Sequence, residues 1–138
     1  MEVDISKIPL CIEASSEKTL ALIQILAASI SNKVYSIDSE KRRILHLAGV
    51  LSNNFINHLV ARAFDYLENN EIEKDLLIPL LDETLNKLKK APPRDAQTGP
   101  ARRKNTEIID AHKKMLEEEP VLKNLYCLIS DSIIAYYS

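Results

Sequence analysis

The sequence predicts a mainly α chain: a small β-α-β unit over residues 1–38, followed by an all-helical domain over residues 39–138. Three observations predict it. Two short apolar runs flank a single helical pattern between residues 8 and 37. From Ser39 onward, apolar residues recur at helical spacing almost throughout. The stretch that breaks this pattern, "AQTGPARRKN" at 96–105, holds one of only 2 glycines in the chain.

Residues 8–37 contain "IPLCIEA", "SSEKTLALIQILAASIS" and "KVYSID". The first and third are strand-like, the third having β-branched and aromatic residues, and the middle stretch is helical with Ser16 as its N-cap. Strand, helix, strand is the building block of a parallel sheet, but one such unit leaves unpaired edges and no second layer. Next, "SEKRRILHLAGVLSNNFINHLVARAFDYLENN" predicts a long helix capped by Asp38 or Ser39. It is apolar on several faces through Ile44, Leu47, Leu51, Phe55, Leu59 and Phe64, which predicts that it is largely buried. "EIEKDLLIPLLDETLNKLKK" is helical again, with Pro79 kinking it or marking its first turn. Residues 91–104 read as a proline-punctuated loop, and "NTEIIDAHKKMLEEE" as a short amphipathic helix. Pro120 opens the last helix, "PVLKNLYCLISDSIIAYYS", because proline suits the first helical position.

With 138 residues, 46% hydrophobic and 28% charged, the chain has the length and apolar content for a compact core. Its 18 basic and 20 acidic side chains leave a net charge of -2, so no overall field draws nucleic acid or an anionic membrane, and any anion site must be local. Cys11 and Cys127 lie in apolar surroundings far from metal-ligand spacing, which predicts buried free thiols. The start "MEVDISKIPL" has no signal pattern, and no uncharged apolar run approaches the roughly 20 residues of a membrane helix, so the expected home is a reducing cytoplasm.

The Thr98-Gly99-Pro100 stretch, with Arg102, Arg103 and Lys104 behind it, invites comparison with a phosphate loop. Phosphate fingerprints need several glycines at fixed offsets between strand and helix, and Gly99 stands alone. Pro92, Pro93 and Pro100 stiffen the connection, Gly99 permits a positive φ, and Gln97 and Thr98 can bond the turned backbone. The basic run leads into a helix starting near Asn105, whose free amides and dipole favour an anion. The plainer alternative is a solvated basic turn pairing with Asp95 and Glu107. His46 and Asn53, seven apart, share a face on an unbroken helix, with Asn54 beside them. Buried polar groups satisfying one another would explain that face equally. His46, His58 and His112 lack the paired spacing or nearby cysteines of a zinc site, so no metal is expected.

The order "ILHLAGVLSNNF", "PLLDETLNKL", "RDAQTGPARRKN", "AHKKML", "LYCLISDSI" resembles the C-terminal domain, of unnamed function, of a family of bacterial Rossmann-like oxidoreductases. That family is similar to NADP oxidoreductases using coenzyme F420. Its helical domain is similar to the dimerising C-terminal domain of 6-phosphogluconate dehydrogenase. The resemblance spans roughly residues 8–138, and its most specific parts are the His and Asn of the long helix and the Thr-Gly-Pro loop with its downstream His. Where the family commonly has Arg-Gly-Asp, this chain reads Arg103, Lys104, Asn105.

The resemblance implies a nucleotide-binding domain ahead of this region, with residues 8–37 as its last strand, helix and strand. The glycine fingerprint itself is absent, so the chain is expected to be a C-terminal portion that holds no cofactor alone, NADP or NAD belonging to a full-length parent. It also implies that His46, Asn53 and Asn54 line a cleft, His46 carrying a proton and an amide orienting a carbonyl or imine under reduction. Thr98, Gly99, Arg102 and Arg103 would take a substrate carboxylate or a cofactor phosphate from the missing domain, with His112 capping or orienting the turn. A homodimer through the long and C-terminal helices is expected, with a small-molecule substrate in the parent. The alternative is a helical dimerisation module without catalysis.

Overall fold

The computed structural model describes residues 4–138, and the chain divides into two compact units, Met1–Val60 and Ala61–Ser138. The chain is mainly α behind one small β-α-β unit, the class that the apolar patterning predicts.

In the first unit, a 3-10 turn at Ile5–Lys7 leads into β1 (Leu10–Ile12), α1 (Glu17–Ile30) and β2 (Val34–Ser36). The strands pair in parallel, Leu10 with Val34, Cys11 with Tyr35 and Ile12 with Ser36. The hydroxyl of Ser16 caps α1 by accepting the Thr19 N–H at 3.2 Å, which satisfies one amide that the first helical turn leaves free. At the other end, Ser31 is 2% exposed. Its Oγ sits 2.5 Å from the Ile8 carbonyl and 3.2 Å from that of Ser6, and accepts the Lys33 N–H at 3.1 Å. One buried hydroxyl thus ties the end of α1 to the segment before β1 and to the start of β2. Among the described residues of this unit, Ile12 and Ala27 are the buried apolar ones.

α2 (Ser39–Gly49) begins at Asp38, whose carboxylate accepts the Lys41 N–H at 2.8 Å. Glu13, just past β1, reaches the same terminus: it accepts the Ser39 N–H at 3.1 Å and the Ser39 hydroxyl at 2.6 Å, and pairs with Arg42. The helical run therefore starts where the sequence expects, and Glu13 ties the start of α2 to the β-α-β piece. The boundary between the compact units falls at 60/61, inside α3 (Phe55–Asn69).

The long helix differs from expectation in two respects. It is not continuous α-helix: Val50–Asn54 form a π turn, closed by the Phe55 N–H bonding the Val50 carbonyl five residues back. Nor is it largely buried within this chain, since Ile44 is 66% exposed and Leu47 59%. Apolarity on several faces signals a demand for burial, and these residues of a single chain do not meet it.

In the second unit, a 3-10 turn at Lys74–Leu77 precedes α4 (Ile78–Lys90), with Pro79 in its first turn rather than at a kink. Residues 91–104 are not loop throughout, because Pro93–Ala96 form a short helix, α5. α6 (Thr106–Met115) is capped by Asn105, and α7 (Pro120–Tyr136) opens on Pro120, as expected. Arg62 of α3 pairs with Glu119 at 3.1 Å, and the Tyr66 hydroxyl donates to the Met115 carbonyl at 3.3 Å. Ala101, Ile109, Leu116 and Ser130 are buried here. Cys11 and Cys127 are free thiols but half-buried rather than buried. Among the described residues no helix is long and apolar enough to cross a membrane.

Candidate functional site

The polar face of the first unit is exposed. His46 lies in the last turn of α2, and Asn53 and Asn54 lie in the π turn, all three open to solvent. They are therefore not side chains satisfying one another in a core. The π turn also alters their register. One extra residue rotates everything after it by about 100° relative to an unbroken helix. His46 and His58, twelve apart in sequence, thereby come to within about 20° of one face, roughly three turns apart. Sequence periodicity assumed an unbroken helix and so missed this. The signal available was the cluster of weak helix formers, Gly49, Ser52, Asn53 and Asn54, at the point where the ladder widens. π turns of this kind are frequent at functional sites.

The second unit contains Thr98, Gly99, Arg102, Arg103 and His112. Gly99 has φ +104°, and the Gln97 side-chain amide donates to the Thr98 carbonyl at 3.0 Å. Beyond it the Arg103 N–H bonds the Gly99 carbonyl at 3.3 Å, Lys104 N–H bonds Ala101 at 3.1 Å, and Asn105 N–H bonds Pro100 at 3.0 Å. A single tight turn results, anchored inward by buried Ala101, with Arg102 and Arg103 outside. The Asn105 carboxamide oxygen accepts the Ile108 N–H at 3.1 Å, so one of the amides facing the α6 terminus is already engaged. Among the described residues none of Arg102, Arg103 and Lys104 is ion-paired, with Asp95, Glu107 or any other carboxylate.

His112 is half-buried, and its Nδ1 lies 3.0 Å from the Tyr126 hydroxyl, the two rings meeting edge to face. Its contact is thus with α7. Arg102 stacks over the Tyr137 ring at 4.5 Å and borders a cleft of about 420 Å3 with Arg94, Asp95, Gln97, Tyr137 and Ser138. Thr98 borders a second cleft, of about 230 Å3, against Leu80, Thr84 and Leu88 of α4. Arg94, Tyr136 and Tyr137 were not among the candidate site residues read from the sequence. A Pro-Pro-Arg segment and a Tyr-Tyr pair carry no spacing rule that joins them over some forty residues. No three His, Cys, Asp or Glu side chains among the described residues cluster as metal ligands.

The profile of one protein family matches residues 8–133. The chain belongs to that family, DUF2520, a domain of unknown function. No curated protein matches the chain. Among solved structures, a Bacteroides fragilis protein described as a "putative NADP oxidoreductase" is 43% identical to this DUF2520 chain with a TM-score of 0.91, over 98% of this chain and 52% of that one. A Thermotoga maritima protein is 27% identical with a TM-score of 0.66, over 88% of this chain and 50% of that one. The DUF2520 chain thus spans about half the length of both. With the β-α-β unit and the helices behind it, these likenesses make it a Rossmann-like, oxidoreductase-related domain.

Proposed function

We propose that this DUF2520 chain is the dimerising and substrate-completing part of an NAD(P)-dependent oxidoreductase. The observation that carries the proposal is the match to the Bacteroides fragilis protein over nearly the whole of this chain but only 52% of that one. In this reading His46 carries a proton to a carbonyl or imine, and an amide of Asn53 or Asn54 orients it. Arg102 and Arg103, on the Thr98-Gly99 turn, take the substrate's anionic group, and His112 holds the neighbouring helix.

This chain's own residues do not fit a dinucleotide. The β1-to-α1 turn reads Glu13, Ala14, Ser15, Ser16, with no glycine to admit a pyrophosphate. Ser16 already occupies the Thr19 amide, and Glu13 and Glu17 add negative charge beside the α1 terminus. In this reading NADP or NAD belongs to sequence outside residues 8–138. Calorimetric titration of the chain with NADPH is expected to show no saturable binding, and a micromolar dissociation constant at unit stoichiometry overturns that assignment. In a chimera carrying the remaining half of the Bacteroides fragilis protein, His46→Gln is expected to lower kcat more than it raises KM across carbonyl and imine acids. An unchanged kcat in an active chimera removes His46 from the chemistry.

A second reading is a helical module without catalysis, favoured by the same glycine-free β1-to-α1 turn. An active chimera separates the two.

A further inference from the structure

The C-terminal end of the second unit holds a four-residue arrangement of which the reductase reading uses only Arg102. Arg94 of α5 lies over the Tyr136 ring with its Cζ 4.9 Å from the centroid, and Arg102 lies over Tyr137 at 4.5 Å. The two rings meet edge to face at 5.1 Å and 78°. The Tyr137 hydroxyl donates to the Arg94 carbonyl at 2.8 Å, which fixes α5 against the end of α7. A guanidinium stacked on a ring spends one face on it and keeps its in-plane N–H fork free for a carboxylate or phosphate. Among the described residues neither arginine has an ion-pair partner. Both border the cleft of about 420 Å3, where Asp95 supplies acceptor oxygens. A neighbouring cleft of about 280 Å3 shares Arg94, Gln97 and Tyr137, and adds the apolar surfaces of Pro93, Ile133 and Tyr136.

We propose that Arg94 and Arg102, each stacked on one of two consecutive tyrosines, form a binding site for the oxyanion of a small organic molecule. Its phosphate or carboxylate is held between the two guanidiniums, and its apolar or aromatic body lies against Pro93, Ile133 and Tyr136. Asp95 suits a hydroxyl or ammonium group on the same ligand. Two arginines whose orientation is set by packing lose less freedom on binding than free surface side chains do, and this separates a site from a merely basic surface. The inference shares Arg102 with the reductase reading but does not rest on it, because Arg94 and the two tyrosines have no part in that reading and oxyanion binding is measurable on this chain alone, without a nucleotide.

The test is titration of the full chain with phenyl phosphate and, separately, benzoate, followed through the arginine Nε–Hε and tyrosine ring signals in NMR spectra. Saturable shifts confined to Arg94, Arg102, Tyr136 and Tyr137 are expected. Arg94→Gln and Arg102→Gln should each weaken binding by about tenfold or more, from loss of a charge-assisted hydrogen bond. Arg102→Lys, which keeps the charge and guards against a folding artefact, should weaken it less than Arg102→Gln. Lys114→Gln removes the same charge elsewhere and should change nothing. Tighter binding of either ligand supports the site and identifies its group as phosphate or carboxylate. Shifts that never saturate, or equal losses in Lys114→Gln and Arg102→Gln, overturn the proposal. So does binding lost in Arg103→Gln and retained in Arg94→Gln, which would locate the anion on the α6 side of the turn and leave the reductase reading standing.

Discussion

Glu13 joins sheet to helix through a single carboxylate, and its charge makes that junction sensitive to pH. The Ser39 hydroxyl and N–H, followed by the Arg42 charge, hold its pKa below the ordinary 4.5. Because the folded state favours the ionised form, the stabilisation is complete above the unfolded value and is lost as pH falls through the folded one. Asp38 shifts the same way, chiefly through the Lys41 N–H, so the α2 terminus has two acid-sensitive supports. Glu13→Gln is expected to lower the melting temperature at neutral pH, and to lose less stability than the parent from about pH 5 downward. Parallel acid limbs in thermal melts of the two proteins would show that Glu13 contributes nothing. A second residue acts through backbone alone. At φ +104° Gly99 adopts a conformation that L side chains rarely take, while a Cβ there would meet nothing within 4 Å. Gly99→Ala is therefore expected to cost about 1–3 kcal/mol from strain. The midpoint of urea unfolding should fall with the slope unchanged.

Among the elements, the β-α-β unit depends on one buried polar group at its base. Ser31→Ala strands the Ile8 carbonyl and the Lys33 N–H beside a packed helix end, and should cost about 1–3 kcal/mol. Hydrogen exchange should then quicken first at Leu10 and Lys33, whose amide and carbonyl close the ladder at 2.8 Å. Even protection across the chain would argue against a local role. Elements whose signals are local were legible in the sequence: the Ser16 cap, a helix start near Asn105, proline at the start of α4 and α7, and glycine at the one positive-φ glycine turn. The π turn was not, because nothing in a hydrophobic period marks where a helix takes in one residue too many. α5 was missed for the opposite reason, since two adjacent prolines read as loop when the second merely begins a short helical turn. Of the candidate site, the residue types on the Gly99 turn were legible and their neighbours were not. Stacking of Arg94 and Arg102 on Tyr136 and Tyr137 is a tertiary event between elements far apart in sequence.

For the whole molecule, the question is what covers the apolar faces. Alongside Ile44 and Leu47, α3 exposes Phe55 and Ile56, and α7 exposes Val121, Leu128, Ile129 and Tyr136. Few large apolar side chains are buried among the described residues, and we propose that faces exposed on this scale are covered by a partner. In line with the proposed role, a second copy of the chain is the expected partner, with an interface of more than about 2,000 Å2 as obligate helical dimers require. At micromolar concentration light scattering should give twice the 15.6 kDa of one chain. Leu47→Lys and Leu128→Lys discriminate further. At exposed positions of a monomer, 59% and 69% open, such changes should alter stability by less than about 0.5 kcal/mol. In a dimer interface the same lysines bury a charge without a counter-charge, so each should yield monomers and abolish the dependence of the melting temperature on protein concentration. A monomeric mass for the parent chain would sink the dimer. A dimeric parent whose two variants stay dimeric would move the interface to other faces, such as the one that α1 exposes through Leu22, Ile25 and Leu26.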